Sequence, residues 1–428
     1  MADLLRKLFP GNRESSLTAK TAREQAAPAG MPEAVAAASS TELGRELMDL
    51  APERPLAAAR ARELLSLSVC LLDTPEPAAL ASLAVEGSEG SDKLVSYMTY
   101  GRKLLRSNRY VCVIGAFDGV HLGHQELLQR AARDAAERGD KLAVLTFTPD
   151  PADVLSGPTP SSKLLSDEGR VNAMLAFDGD VDCSDVSSVV CVDFDREFAS
   201  LTWVEFAGEA LGLIFGDEFE DYLEAVFVGS DFRFGAHGEG NLELLRRVGD
   251  IRGFDVTGVE LLEQGGAPVT ATRIRGLVHA GRVEEAAGLL GRPHMVVGRV
   301  EHGRGEGASF GFPTANIVCE PSACVPEQGV YAGFVTVADE DGIRRAYPAA
   351  INVGLPPSFE GEAPEGTLLE ANLIGFDGDL YGSKACVSFV RWLRDSRPFA
   401  TLEELERTVL GNIDWTGRAL GGRGIRIN

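Results

Sequence analysis

The sequence predicts an α/β fold: a domain built on a parallel sheet, followed by a second domain that is an antiparallel β-barrel. From Tyr110 onward, short apolar runs typical of strands alternate with helical segments, which is the pattern of a parallel sheet covered by helices. The strand-like runs are Val111–Ile114, Leu142–Phe147, Ser188–Val192 and Ala225–Val228. The predicted helices are Gln125–Arg138, Arg170–Phe177, Val204–Ile214, Leu242–Val248, Ala271–Ala280 and Val283–Leu290.

After Pro293 the rhythm changes, because Gly-rich turns rather than helices separate the apolar runs. Such a succession of short strands predicts an antiparallel barrel. The runs lie at Met295–Val300, Val330–Val337, Ala346–Asn352, Leu368–Ile374 and Lys384–Arg391. Thr401 is followed three residues later by Glu404, a capping-box pattern that predicts a last helix over residues 401–411.

Residues 1–105 differ from the rest, since they are rich in Ala, Ser and Glu and are interrupted by Pro- and Gly-containing stretches. We expect a poorly ordered or partly helical extension, with short helices near Glu42–Leu50 and Ala57–Leu72. A targeting or docking arm is the functional alternative. The predicted division is therefore an extension over 1–105, a first domain over 106–291 and a second domain over 292–428.

The composition limits the class of function. The chain has 428 residues and a formal net charge of −23, with 41 Lys and Arg against 64 Asp and Glu. Because nucleic-acid binding needs broad cationic surfaces, we expect small-molecule partners and no nucleic acid. Apolar runs are too short to span a bilayer, so no membrane partner is expected. The seven cysteines include no C-x-x-C motif, which favours reduced thiols and a cytoplasmic location, and a weak homo-oligomer stays open.

The stretch G-A-F-D-G-V-H-L-G-H, Gly115 to His124, follows the first predicted strand of the parallel sheet. Its two histidines, His121 and His124, flank Gly123 where the strand turns into a helix. Donors at a helix N-terminus join its unpaired N–H groups and its dipole in binding phosphate, and a glycine lets the ligand approach the backbone. Two histidines that merely cap a helix are the alternative interpretation, whereas a metal site would need a third ligand.

The same stretch, followed by a strand ending in T-F-T-P-D-P, resembles the nucleotidyltransferase module of bacterial bifunctional riboflavin kinase/FAD synthetases. Further matches follow in the family's order at Phe227–Gly235 (F-V-G-S-D-F-R-F-G), Thr270–Arg275 (T-A-T-R-I-R) and Leu289–Pro293 (L-L-G-R-P). The resemblance implies a Rossmann-like domain in which the phosphate of FMN attacks the α-phosphate of ATP and expels pyrophosphate. Such a reaction needs alignment and charge neutralisation more than a nucleophile from the protein.

The resemblance also implies roles for single residues of this first half. His121 and His124 would act in catalysis, by stabilising the triphosphate as charge moves to the leaving group. Thr272 and Arg273, at the start of a predicted helix, would hold phosphate oxygens, and Asp231 and Arg233 would lie beside the substrates unless they form an ordinary turn ion pair. The full set implied to bind the nucleotide is Gly115, Phe117, Gly123, Asp231, Arg233, Thr272 and Arg273, beside the two histidines.

The second half resembles the riboflavin kinase module of the same family. The matching motifs are G-F-P-T-A-N-I at 311–317, N-V-G-L-P-P-S-F at 352–359, and the block from Leu369 to Gly382 that ends in D-L-Y-G. The first of them follows a Gly-rich stretch at Gly298–Gly307, which is predicted to form a flap. A kinase acting on an alcohol needs a carboxylate within reach of the hydroxyl, and Glu370, isolated in an apolar strand, fits this demand. The resemblance implies contacts of Mg²⁺ and ATP with Thr314 and Asn316, and of the flavin with Asn352. Arg394 is the candidate to contact the flavin or a phosphate, and a role at the surface is the alternative.

Together the two modules imply an enzyme that phosphorylates riboflavin to FMN and adenylylates FMN to FAD, with ATP as co-substrate and Mg²⁺ as cofactor. The chain has Ala116, Asp150 and Ala271 where the family commonly has Asn, His and Ser. Two alternatives therefore stay open: a riboflavin kinase with a degenerate nucleotidyltransferase half, and a non-enzymatic sensor of flavins or nucleotides.

Overall fold

The computed structural model describes thirteen stretches of the chain: residues 41–72, 84–85, 97–101, 108–155, 162–177, 185–207, 211, 215, 222–302, 312–338, 342–354, 366–397 and 399–427. The extension's first 40 residues, residues 303–307 of the stretch predicted as a flap, and residues 355–365 therefore lie outside the described residues.

The first sheet has seven strands. The last five of them in chain order are parallel to one another, as the sequence predicts. Its order is β1-β2-β5-β4-β3-β6-β7, with β1 and β2 antiparallel at one edge. The strands are β1 (Ala84–Val85), β2 (Tyr97–Gly101), β3 (Tyr110–Ile114), β4 (Lys141–Thr148), β5 (Val186–Asp193), β6 (Leu223–Gly229) and β7 (Asp255–Val259). Strand β7 was not among the predicted strands, because this edge strand is mostly half-exposed and lacks an apolar run.

Ten helices are found in the described residues. They are α1 (Glu42–Met48), α2 (Ala58–Leu72), α3 (Leu122–Arg138), α4 (Pro151–Leu155), α5 (Asp167–Leu175), α6 (Trp203–Glu205), α7 (Leu242–Arg252), α8 (Ala271–His279), α9 (Val283–Leu290) and α10 (Leu402–Leu420). The predicted helix over 204–214 falls partly outside the described residues.

A short hairpin, β8 (Glu263–Gln264) with β9 (Ala267–Pro268), precedes α8. The second sheet then closes into an antiparallel barrel of six strands in the order β12-β15-β10-β11-β14-β13, because β13 also pairs with β12. Its strands are β10 (His294–Glu301), β11 (Ala315–Cys319), β12 (Gly329–Ala338), β13 (Arg344–Val353), β14 (Thr367–Leu373) and β15 (Lys384–Asp395), and β16 (Ile425–Arg426) adds to β13. The barrel prediction is confirmed, although β11 and β16 were not among the predicted strands.

The last helix begins as its capping box predicts, with Thr401 Oγ1 accepting a hydrogen bond from the backbone N–H of Glu404 at 3.2 Å. The predicted end at residue 411 is wrong, because α10 continues to Leu420. Its final turn buries Thr416, Ala419 and Leu420. Burial of an apolar end offsets the unfavourable helix propensity of Gly411 in mid-helix.

The two helices predicted in the extension are confirmed as α1 and α2. Both are packed between the two domains: α1 lies against α9, and α2 lies against α5 on one side and against β10, β12 and β15 of the barrel on the other. Leu47 and Leu65 are fully buried in a hydrophobic cluster that also contains Val111 of the sheet and Phe334 of the barrel. One continuous core therefore joins the helices of the extension to both domains.

Two candidate active sites

A cavity of about 320 Å³ opens at the carboxyl ends of β3 and β6. We call it the sheet-edge site. The predicted residues Gly115, Phe117, His121, Gly123, His124 and Asp231 all line it. The first turns of α3 and α8 contribute to the same lining, so the N–H groups and positive dipole ends of two helices meet there. This arrangement favours an anionic ligand.

The turn that carries the histidines is held in an unusual backbone conformation. Phe117 and Val120 have positive φ angles of 58° and 41°. Residues other than glycine seldom adopt this left-handed backbone conformation. His121 is the N-cap of α3, and its Nδ1 accepts a hydrogen bond from the backbone N–H of His124 at 3.4 Å. A Cβ atom on Gly123 would lie 3.2 Å from the His121 ring, so this position has little room for a side chain. The strained turn fixes where both imidazoles lie.

The two imidazoles stack with their centroids 3.6 Å apart. Burial, followed by the nearby charge of Arg292, lowers the pKa of His121 to about 3. Burial and the neighbouring His121 hold the pKa of His124 well below its ordinary value. Both rings are therefore neutral near pH 7 and bind as hydrogen-bonding groups without positive charge. Among the described residues, Nδ1 of His124 is buried and has no hydrogen-bond partner, so it is available to a ligand.

The positive charge of the sheet-edge site comes from arginines. Arg275 lines the cavity, and its Nη1 is 2.6 Å from the buried carboxylate Oδ2 of Asp118. Burial raises the pKa of Asp118, while the charge of Arg275 opposes that rise. Arg292, which is half-buried, donates a hydrogen bond to the carbonyl of Gly119 at 2.8 Å. Desolvation lowers its pKa to about 10, so it stays charged at neutral pH.

The structure does not bring Arg273 into the cavity. Its Nη1 donates instead to the carbonyls of Gln264, Ala267 and Pro268, at 3.0, 2.9 and 3.1 Å, which holds the β8–β9 hairpin onto α8. Thr272 is exposed and accepts a hydrogen bond from Nη2 of Arg275 at 3.3 Å. Of the two arginines in T-A-T-R-I-R, Arg275 rather than the predicted Arg273 therefore lines the cavity. The helical spacing was the signal that could have pointed to Arg275, because Arg275 and Thr272 are three residues apart on one face of α8.

Asp231 and Arg233 separate into two neighbouring cavities. Asp231 lines the sheet-edge site, whereas Arg233 lines a second cavity of about 700 Å³. Arg233 Nη1 donates to the carbonyl of Phe232 at 3.1 Å, so the guanidinium bonds to the backbone of its own turn. We call the second space the aromatic cavity, because six phenylalanines line it: Phe147, Phe194, Phe198, Phe206, Phe232 and Phe234. Phe232 lines both cavities, so the two cavities are adjacent.

Strand register assembles the second candidate site, on the barrel. Glu370 of β14 pairs with Asn316 of β11 on one side and with Asn352 of β13 on the other. Asn352 also pairs with Val330 of β12, and Val330 pairs in turn with Arg394 of β15. Directly paired residues of an antiparallel sheet point to the same face. Four predicted residues therefore form one row, which we call the barrel site.

The row lies on the outer face of the barrel, since the alternate residues Ile317, Leu369 and Ile351 belong to the barrel's interior cluster. Thr314 immediately precedes β11 and is half-buried. The amide of Asn372 donates to the carbonyl of Pro313 at 2.8 Å and so fixes the turn that carries Thr314. Asn372 therefore supports the barrel site without belonging to the row.

Arg394 lies at the end of the row beside Phe399, with its guanidinium carbon 5.5 Å from the centre of the ring. Burial, with the charge of Arg397 added to it, lowers the pKa of Arg394. In the described part of the chain, its Nε is buried without a hydrogen-bond partner. Like Nδ1 of His124, it is a buried nitrogen without a hydrogen-bond partner among the described residues.

Comparison with known proteins agrees with this geometry. A family model described as FAD synthetase matches residues 105–273, and one described as riboflavin kinase matches residues 290–420. A bifunctional riboflavin kinase/FMN adenylyltransferase of Escherichia coli (strain K12) is 34% identical over 301 residues, covering 70% of this chain and 89% of the relative. A protein of the same description from Bacillus subtilis (strain 168) is 31% identical over 318 residues, covering 73% and 94%.

The chain belongs to the bifunctional riboflavin kinase/FMN adenylyltransferase family. Both modules of the family are present, so the chain is an enzyme, and this favours the bifunctional interpretation over a degenerate half or a sensor. A crystal structure described as a macrolide-efflux protein from Streptococcus pneumoniae is also similar, with a TM-score of 0.62 and 28% identity, over 72% of this chain and 94% of that one. The helices in the described stretches are all too short or too polar to cross a membrane.

The family's two modules coincide with the two sites. The FAD synthetase match contains His121, His124 and Asp231, and the riboflavin kinase match contains Asn316, Glu370 and Arg394. Among the described residues, no group of three or more His, Cys, Asp or Glu side chains could hold a metal ion, so the metal interpretation of the two histidines finds no third ligand.

Proposed function

We propose that the barrel site transfers the γ-phosphoryl group of ATP to the ribityl 5′-hydroxyl of riboflavin, and that the sheet-edge site joins the FMN so formed to the AMP moiety of a second ATP. The observation that carries the first assignment is the row in which Glu370 stands between Asn316 and Asn352. The observation that carries the second is the convergence of two helix N-termini, two neutral imidazoles and Arg275 on one cavity.

In the barrel site, Glu370 would act as the general base. Its carboxylate would accept the proton of the flavin hydroxyl as the hydroxyl oxygen attacks the γ-phosphorus and ADP leaves. Asn352, on the next strand, would orient the ribityl chain by hydrogen bonding. Arg394 has an unused buried Nε and stands beside Phe399, which suits contact with the flavin ring or with the phosphate of the product.

The barrel site also fits Mg²⁺. Thr314 supplies a hydroxyl, Asn316 an amide oxygen and the neighbouring Glu370 a carboxylate, and oxygen ligands are those that this hard cation prefers. We propose Thr314 and Asn316 as the residues that hold it with the ATP phosphates. When bound, Mg²⁺ would neutralise phosphate charge, while Thr314 and Asn316 orient the triphosphate towards the hydroxyl.

In the sheet-edge site, a phosphate oxygen of FMN would form a bond to the α-phosphorus of ATP as the bond to the β-phosphate oxygen breaks. The leaving pyrophosphate takes up the displaced electron pair. His121 and His124 would donate hydrogen bonds as neutral rings to the triphosphate, and Arg275 would supply the full positive charge. Gly115, Phe117 and Gly123 shape the wall against which the nucleotide packs.

The flavin ring of FMN would occupy the aromatic cavity. Its volume of about 700 Å³ and its six phenylalanines suit a large flat ring system, and the cavity adjoins the sheet-edge site through Phe232. Arg233, at the same wall, and Asp231, at the sheet-edge site, would then lie on either side of the FMN phosphate. Thr272 would act through its hydrogen bond to Arg275 rather than by direct contact.

The test is product chromatography after incubation of the full chain with riboflavin, ATP and Mg²⁺. The expected result is FMN followed by FAD, with pyrophosphate released in proportion to FAD. Formation of FMN without FAD would mean that the chain acts only as a riboflavin kinase, and it would contradict the sheet-edge assignment. If only added FMN is converted to FAD, the barrel assignment fails instead.

A further inference from the structure

Among the described residues, Arg170 has the largest side chain that is fully buried, with 2% exposed. Arg170 lies in the first turn of α5. Its Nη2 donates to the carbonyl of Phe147 at 2.7 Å and lies 3.3 Å from Asp167, and its Nη1 donates to the carbonyl of Ala116. Phe147 belongs to the carboxyl end of β4, and Ala116 follows β3. One guanidinium therefore ties together the ends of the two central strands from which the sheet-edge site begins.

Burying a guanidinium is costly unless its donors are satisfied and its charge is balanced. The charge of Arg170 lies near the reacting region, since it is among the influences that lower the pKa of His124, after burial and His121. It also faces Asp150, which lines the sheet-edge cavity and has its Oδ2 4.0 Å from Nη1 of Arg170. A carboxylate beside a triphosphate repels it unless a cation stands close by. Arg170 provides that cation from behind the cavity wall.

We propose that Arg170 is a positioning residue for adenylyl transfer. It holds the carbonyls of Ala116 and Phe147 so that the turn leading to His121 and His124 keeps its shape, and it offsets the charge of Asp150 towards the triphosphate. The inference rests on the proposed function of the sheet-edge site and adds to it a residue outside the cavity lining. Asp150 and Arg170 act as a pair, so removing the cation alone is worse for ATP binding than removing both charges.

The helix that carries Arg170 is itself held by the extension. The side chain of Asn172 donates to the carbonyl of Cys70 in α2 at 3.0 Å, and a Cβ atom on Gly169 would lie 3.0 Å from the side chain of Leu71. On its other side, α2 reaches the barrel through a 2.9 Å hydrogen bond between the buried hydroxyls of Ser68 and Thr336. The packing of α2 against α5 therefore helps to fix the position of Arg170.

The experiment compares Arg170→Met, Arg170→Lys and the double variant Arg170→Met with Asp150→Asn in the full chain, with Arg130→Met as a matched control on the exposed face of α3. Each preparation is assayed for FMN-to-FAD conversion and for riboflavin phosphorylation. We expect Arg170→Met to lower kcat of adenylyl transfer ~10- to 10²-fold and to raise KM for ATP, with phosphorylation within about twofold of the parent. In the double variant, KM for ATP should return most of the way to the parent's value, because the unpaired charge of Asp150 is gone. The kcat should stay low, because the hydrogen bonds to the carbonyls of Ala116 and Phe147 are still missing.

Unchanged adenylyl transfer in Arg170→Met, while the parent forms FAD, overturns the inference and leaves the proposed function standing. Failure of the parent to form FAD removes the proposed function itself. Equal loss of both activities in Arg170→Met with a lowered Tm marks a purely structural role and also overturns the inference. If Arg170→Met does not fold, Arg170→Lys decides, since one ammonium keeps the charge but cannot bridge both carbonyls: the inference then requires a lowered kcat with a nearly normal KM for ATP.

Discussion

The sheet-edge site draws its side chains from the segments that follow strands and begin helices, whereas the barrel site draws most of its side chains from within strands. In the first, His121, Gly123 and Arg275 come from two helix starts that tertiary packing brings to one cavity. In the second, Asn316, Glu370 and Asn352 are neighbours because three strands pair in one register. Hydrogen bonds between paired strands therefore position the barrel site, whereas side-chain packing positions the sheet-edge site.

The two sites also differ in how they carry charge. The sheet-edge site keeps its histidines neutral and pairs its cations with buried acids, as Arg275 does with Asp118. The barrel row has the partly exposed carboxylate of Glu370 at its centre. Substitutions in the sheet-edge site should therefore disturb folding and chemistry together, whereas those in the row should act on chemistry with little effect on stability.

The largest effect is expected from Glu370→Gln. This variant should lose ~10³-fold or more of riboflavin phosphorylation, because the amide cannot accept the hydroxyl proton, and it should convert FMN to FAD at the parent's rate. The measurement is the initial rate of each half-reaction. Glu320→Gln, an exposed residue just after β11, is the control and should change neither rate. Loss of both activities in Glu370→Gln would contradict two separate sites.

The reciprocal change is His124→Ala in the sheet-edge site. FAD formation from FMN should fall at least ~10²-fold, since a hydrogen bond made to developing charge is removed, while riboflavin phosphorylation continues. His279→Ala, an exposed histidine at the end of α8, is the matched control. An unchanged rate of FAD formation would refute the role of His124 at the phosphates.

A third test separates the two arginines of α8. Arg275→Met should raise KM for ATP in adenylyl transfer ~10-fold, because the cavity loses its charged donor. Arg273→Met should keep that KM within about twofold but lower Tm by a few degrees, because three backbone carbonyls lose their donor. Steady-state kinetics and thermal unfolding of both variants measure the difference. The opposite pattern would return the phosphate role to Arg273.

The smallest effect concerns acid stability. Burial lowers the pKa of His121 to about 3 and that of His294, at the start of the barrel, to about 4. The unfolded chain therefore binds more protons than the folded one below pH ~6.5, so the free energy of unfolding falls as the pH drops from there towards these values. Per histidine, the loss is up to ~1.4 kcal/mol for each pH unit.

The variants His121→Gln and His294→Gln test this, each by its Tm at pH 7.5 and at pH 5. Each should lose less stability in acid than the parent, by about 1–2 kcal/mol. A Tm that falls equally in variant and parent would show that the imidazole is not kept neutral by the fold.

Much of the candidate chemistry could be predicted from local sequence. The turn at Gly115–His124 carries its own signals, since an apolar run, three glycines and a helix start are all local, and the structure places it at the strand ends as expected. The direction of Arg273 could not be predicted, because it depends on the β8–β9 hairpin, a contact that α8 by itself does not reveal. The strand β11 was missed for a similar reason, because its five residues become a strand only between β10 and β14.

Arg170 illustrates the limit more sharply. In sequence it is an ordinary arginine near a helix start, and nothing local distinguishes it from Arg130. Only the packing of α5 between α2 and the sheet buries it and directs it at Ala116 and Phe147. The same holds for the extension, whose helical periodicity is visible in the sequence while its position between the two domains is not.

The sequence by itself determined the two-domain plan, the α/β and barrel architectures, and the motifs that carry phosphate chemistry, because periodicity, capping and turn signals act over a few neighbouring residues. The tertiary structure alone decided which arginine lines the sheet-edge cavity, that the histidines are neutral, and that α1 and α2 join both domains. Those properties depend on burial and on charges from distant parts of the chain, and burial is a property of the whole packed core.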